Sequence, residues 1–69
     1  MKRDSVQSSN IASIGYDENS TTLEIEFLNG GTYQYFDVPK NIYDDLMGAD
    51  SHEQYLAQNI KGRFRFSKV

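Results

Sequence analysis

Alternation dominates the first half of the chain. Over residues 22–28, Leu23, Ile25 and Phe27 occupy every second position, with Thr22, Glu24 and Glu26 between them. That period puts one face of a strand in a core and the other in water. Upstream, Ala12, Ile14 and Tyr16 alternate with Ser13 and Gly15, which predicts a shorter strand. The run Asp17-Glu18-Asn19-Ser20-Thr21 between them is a dense turn signal. Asn29-Gly30-Gly31 closes a second turn, because Asn and Gly tolerate positive φ. Residues 32–36 then return as a third strand. Three successive strands with short turns make an antiparallel meander. Residues 1–7 are polar around a single Val6 and are expected to form a loosely ordered arm.

The period changes after Pro39. Proline suits the first position of a helix, where its missing N–H costs nothing. Ile42, Leu46 and Met47 recur at helical spacing, Asp44 and Asp45 fall on the wet side, and Gly48 ends the helix. Ser51 followed by Gln54 has the form of a capping box, and Glu53 places negative charge in the first turn of a second helix. Tyr55, Leu56, Asn59 and Ile60 continue that helix, and Gly62 closes it. The basic-aromatic tail 63–69 opens with Arg63-Phe64-Arg65-Phe66, which alternates with period two. It reads either as an edge strand or as an arm packed by its phenylalanines. The expected fold is one α+β domain over residues 1–69. A three-stranded antiparallel meander is followed by two short helices packed on its apolar face.

The register of the second hairpin decides what Tyr33 and Tyr35 do. They are two apart and share a face. A two-residue turn at Asn29-Gly30 sets them opposite Glu26 and Glu24, on the open side. A three-residue loop, Leu28-Asn29-Gly30, sets them opposite Ile25 and Leu23, in the core. The second arrangement is favoured. The first would bury Gln34, at a cost of about 1–3 kcal/mol without partners, whereas tyrosines bury well when each hydroxyl keeps a partner or water.

Size and charge narrow the chemistry. The chain has 69 residues, no Cys, no Trp, one His and one Pro. A domain this small has a marginal core, and without cysteine it has neither disulfide staple nor thiolate. No stretch approaches the ~20 apolar residues of a membrane helix, and no apolar run follows the charged start, so the cytoplasm is the expected compartment. All ten acids but only one base, Lys40, lie between Asp4 and Ile60. The other six bases sit at the two ends: Lys2, Arg3, Lys61, Arg63, Arg65 and Lys68. An acidic body disfavours broad nucleic-acid binding, but the ends could form a local basic patch if the fold brings them together.

Catalytic constellations are hard to assemble from these residues. Ser51, His52 and Glu53 are chain neighbours pointing in different directions, and His52 reads as an exposed residue of a first helical turn. Asp44-Asp45 and Asp17-Glu18 read as solvated surface. One histidine and no cysteine cannot make a structural zinc site. Asn29-Gly30-Gly31 precedes a strand rather than a helix, which is wrong for a phosphate-binding loop. No enzyme, metal or cofactor is expected.

The ordered set of residues resembles a known family. Ser8-Ser9-Asn10-Ile11, Ile14-Gly15-Tyr16-Asp17, Leu23-Glu24-Ile25-Glu26-Phe27, Tyr33-Gln34-Tyr35 and Val38-Pro39 occur in series, followed by Tyr43, Leu46, Ser51, Tyr55, Asn59 and Ile60. This series resembles the KTSC domain, which is found at the C-terminus of some lysyl-tRNA synthetases and as short stand-alone bacterial and phage proteins. Its marker is a central Tyr-x-Tyr, matched here by Tyr33 and Tyr35, whose role is expected to be structural. Glu53 departs from the pattern, which often has glycine there. The synthetase setting implies RNA, by association rather than by mechanism.

Two binding functions follow as expectations. The first is RNA contact through Lys61, Arg63, Arg65 and Phe64, with Lys2 and Arg3 joining them, since arginines grip phosphates while rings stack on bases. The second is a protein–protein module, such as a phage-borne adaptor or inhibitor, offering Glu24, Glu26, Asp44 and Asp45 to a basic partner.

Overall fold

The computed structural model describes residues 2–69. Met1 of the expected arm lies outside them. Five strands and two helices follow in the order β1 (Arg3–Ser5), β2 (Ile11–Asp17), β3 (Thr22–Phe27), β4 (Thr32–Tyr35), α1 (Lys40–Gly48), α2 (His52–Asn59) and β5 (Phe66–Lys68). The strands form one antiparallel sheet in the order β1-β2-β3-β4-β5. The α+β class agrees with the sequence reading, but the expected three strands become five. The arm contributes β1 and the tail contributes β5. The tail's alternation allows an edge strand, whereas the polar arm carries too weak an alternation to be read as one.

Residue spacing explains the core. In β3, Leu23, Ile25 and Phe27 all face inward and are buried. In β2 the register shifts between Ile11 and Ser13, so Ala12 is an extra residue in a bulge. That insertion lets Ile11 and Ile14, three apart, both reach the core with no exposure. Plain alternation through Ala12 would have turned Ile11 outward. Leu46 of α1, Leu56 of α2, and Val38 and Ile60 from the flanking loops complete the buried cluster.

The second hairpin has the three-residue loop. Gly30 N–H donates to Phe27 O (3.0 Å), and Phe27 N–H to Gly31 O (2.8 Å). Gly30 sits at φ +99, a conformation glycine adopts without strain. Tyr33 pairs with Ile25 and Tyr35 with Leu23, as the burial argument favours. Gln34 and Glu24 consequently share the opposite face, where Gln34 Nε2 donates to Glu24 Oε1 at 2.9 Å.

The helices are anchored by named bonds. Ser51 Oγ accepts from Gln54 N–H at 3.2 Å, which caps α2. Pro39 lies one position ahead of α1, and its carbonyl accepts from Ile42 N–H at 3.0 Å. His52 is half-buried rather than exposed, because its Nδ1 reaches the Leu46 carbonyl at 2.8 Å and ties the end of α1 to the start of α2. A carbonyl only accepts, so Nδ1 carries the proton. Tyr16 stacks on Tyr43 (centroids 4.9 Å apart, planes at 11°) and donates its hydroxyl to Val38 O at 2.6 Å. Sheet, loop and α1 are thereby joined at one end of the molecule.

Gly15 is the residue on which β1 depends. It pairs with Arg3, and a Cβ there would lie 2.6 Å from Arg3 Cγ and 2.7 Å from the Lys2 carbonyl oxygen. Because one of these neighbours is backbone, the strand itself would have to move. Gly15→Ala should therefore destabilise by about 1–3 kcal/mol, the usual range for overpacking, and release β1 first. Urea unfolding, with hydrogen exchange at residues 3–5, measures both effects. An unchanged midpoint with β1 amides still protected would refute the assignment.

Candidate nucleic-acid interface

The two helices do not cover the whole inner face of the sheet. On β4, Tyr35 is 3 % exposed and Tyr33 is half-buried. Beside them, Phe66 of β5 stands opposite Tyr35 on the same face, yet it is 58 % exposed. Phe27, Tyr33, Tyr35 and Phe66 line an open groove of about 330 Å³, closed at its other sides by Asn10, Asn29, Lys61 and Gly62. That volume falls at the lower end of the ~300–1,000 Å³ typical of small-ligand sites.

The rings are ordered against one another. Tyr33 meets Phe27 edge-on with centroids 5.6 Å apart, and Phe66 lies 5.7 Å from both Tyr33 and Tyr35. Lys61 Nζ sits 5.6 Å from the Phe27 centroid, within reach of a cation–π interaction. Lys68 pairs with Tyr33 and so stands on the same face of the sheet as the groove. Burial, followed by the nearby Tyr33 hydroxyl, raises the Tyr35 hydroxyl above its ordinary value of 10.0. The Tyr35 phenol is therefore a neutral hydrogen-bonding group at physiological pH.

A second cavity, of about 440 Å³, adjoins the first and shares Asn10, Phe27 and Lys61 with it. It runs along α2 past Gln54 to Ser9, Ser51 and Glu53. Ser8 Oγ donates to Glu53 Oε1 at 2.8 Å, and Ser9 Oγ reaches the same oxygen. Ser8 Oγ also accepts from Ile11 N–H at 3.2 Å, which fixes the loop leading into β2. The Ser9 and Ser8 hydroxyls hold the Glu53 carboxyl below its ordinary value of 4.5.

The basic residues singled out in the sequence are scattered. Arg3 lies on the outer face of the sheet against Glu24 (3.4 Å) and Glu26 (4.0 Å). Since β1 and β5 are the two outer strands, three strands separate the basic ends and they do not form one patch. Arg65 pairs with Asp37 at 3.0 Å. Arg63, Phe64 and Arg65 line a shallow depression with Phe36, which adjoins the aromatic groove through Gly62 and Phe66. Phe64 packs partly against the core. Only Lys61 of the expected set reaches the groove. Lys2 is exposed on the far edge.

Four lining residues escaped the sequence reading: Asn10, Phe27, Asn29 and Phe66. Phe66 could have been placed by extending period two from Tyr35 across a paired tail. Asn10 and Asn29 carry no signal of their own, because turn chemistry alone accounts for them. Tyr33 and Tyr35 are both core and site. Their inner faces pack while Tyr33 and the ring of Phe66 remain open to the groove.

Comparison with known proteins agrees with this architecture. The sequence pattern that defines the KTSC domain matches residues 7–64. The crystal structure of a KTSC domain protein from Yersinia pestis superposes with a TM-score of 0.96 at 43% identity, covering 99% of this chain and 96% of that one. A small protein of Stutzerimonas stutzeri is 41% identical over the full chain and 99% of its own length. A lysine–tRNA ligase of Nostoc punctiforme is 39% identical over 59 residues, which are 86% of this chain but 10% of the ligase. The chain is thus a small α+β module of a kind that occurs both alone and inside a much larger enzyme. It belongs to the KTSC domain family.

The Glu53 clamp has a definite pH signature. Its carboxyl titrates lower in the folded chain than the ordinary 4.5. The stabilisation is therefore present above that value and is lost as pH falls through the folded value. Glu53→Gln should remove that contribution at neutral pH and flatten the acid limb, so that variant and parent converge at low pH. Urea midpoints recorded across the acid range test this. A variant that loses stability on acidification as steeply as the parent would remove the clamp from the account.

Proposed function

We propose that this domain is a non-catalytic RNA-binding module, working in the cytoplasm, that takes an unpaired base into the aromatic groove. The observation carrying the reading is the groove wall itself: Tyr33 and the 58 % exposed Phe66, beside Lys61. A small domain with a marginal core gains little by leaving a large ring in water unless something stacks on it. Successive π-faces with a lysine at the rim suit a single strand, where rings hold bases and cations hold phosphate. Asn10 and Asn29 add amide donors and acceptors, the groups that read a base edge. The relationship to part of a tRNA ligase supports the same class of ligand.

The charge pattern favours this reading over a basic protein partner. Glu24 and Glu26 are engaged by Arg3, Gln34 and Ser13, Asp44 by Lys40, and Asp45 by Tyr55. The acids expected to recognise a basic partner are thus already paired within the chain. At the groove the charges are cationic, which repels a basic peptide and attracts phosphate.

Fluorescence anisotropy of a labelled short single-stranded RNA, titrated at several salt concentrations, tests the proposal. Log affinity should fall with log salt with a slope of about −0.7 for each phosphate neutralised. Phe66→Ala should cost about 1–3 kcal/mol with the slope unchanged, as expected for lost stacking. Lys61→Ala should flatten the slope by about 0.7. Arg63→Ala and Arg65→Ala, lying outside the groove, should act more weakly. Absence of saturable binding at low salt would overturn the reading.

A further inference from the structure

The second cavity gives the proposed interface a means of telling RNA from DNA. We infer that Glu53, held by Ser8 and Ser9, accepts a hydrogen bond from a ribose 2′-hydroxyl when a strand lies in the joined grooves. This rests on the RNA reading above and adds the sugar to it. The two cavities meet at Asn10, Phe27 and Lys61, so a base among the rings places its phosphate at Lys61 and the neighbouring sugar in the cavity beyond. That cavity is lined by the groups that suit a sugar: Ser9, Gln54 and the Glu53 carboxylate.

The acceptor is prepared in advance. Both serine hydroxyls are directed to Oε1, and neither reaches Oε2. A carboxylate offers about four lone-pair positions, so acceptor capacity remains beyond the two serine hydroxyls, although the Ser9 and Asn10 backbone N–H groups also favour this carboxylate. The same two hydroxyls keep it ionised, as its lowered titration indicates. A hydrogen bond to an ionised acceptor is roughly twice as strong as a neutral one.

An ionised carboxylate beside a polyanion is otherwise unfavourable, and this makes it discriminating. A ribose offers a donor that offsets the repulsion, whereas a deoxyribose leaves the carboxylate facing the strand with nothing in return. Selection therefore works by penalising the wrong sugar as well as rewarding the right one. The 2′-hydroxyl is the feature by which proteins distinguish the two polymers at a given site.

The test compares short oligoadenylates that differ only in the sugar. The intact domain should bind the ribo form about tenfold more tightly than the deoxy form, the scale of one charge-assisted hydrogen bond. The 2′-O-methyl form, which cannot donate, should resemble the deoxy form. Glu53→Gln removes the repulsion along with the anionic acceptor, so affinity for the deoxy form should rise, affinity for the ribo form should not, and their ratio should collapse toward one. Equal affinity of the intact domain for ribo and deoxy strands would overturn this inference while leaving the stacking reading intact. An unchanged ratio in Glu53→Gln would likewise overturn it. Failure to bind either strand would overturn the RNA reading and this inference together.

Discussion

The pairing of β3 with β4 governs the rest of the molecule. Because the hairpin loop holds three residues, Tyr33 lies opposite Ile25 and Tyr35 opposite Leu23. One fewer would move both tyrosines to the polar face and turn Gln34 inward. The core would lose Tyr35, and the groove would lose two walls. The same register puts Gln34 beside Glu24 and so completes the polar face, where Arg3 and Ser13 meet Glu24 and Glu26. One loop length therefore sorts the two sides of the sheet into a packed face that carries the aromatic site and a face of internally matched charge.

Much of the fold was legible from spacing alone. The alternation of Leu23, Ile25 and Phe27, the helical recurrence of Ile42, Leu46 and Met47, and the Ser51 cap each carry their own physical signal, and each element formed as read. The first strand was harder to see because its partner, not its composition, makes it a strand, whereas the tail's alternation leaves an edge strand open. Arg3–Ser5 has no apolar residue at all, and it pairs because Gly15 lets its backbone come close. The bulge at Ala12 was equally silent. It changes which residues face inward without altering the composition that pattern reading uses.

The site was less legible than the fold, and for a related reason. Its walls come from β3, β4, β5, the loop before β2 and the end of α2, so no local motif spans it. Charge gave a partial lead, since Lys61 does reach the groove. An exposed cation near a ring looks the same in sequence whether it faces a cavity or an aspartate, and Arg65 faces Asp37. Glu53, which stood out only as an unusual residue in a familiar series, proves to be the anchor for Ser8 and Ser9.

The placement of β5 bears on how the molecule assembles itself. Strands β1 to β4 join neighbours in sequence through short turns, so their pairings close small loops at little entropic cost. β5 is different: Phe66 reaches Tyr35 only after the whole helical segment has been traversed. Its three residues are all exposed and contribute little burial to offset that long closure. Such an edge forms late and opens early, well before the domain as a whole unfolds. The outer wall of the aromatic groove is thus its most easily parted element, and a bulky strand could enter from that side while the interior stays shut.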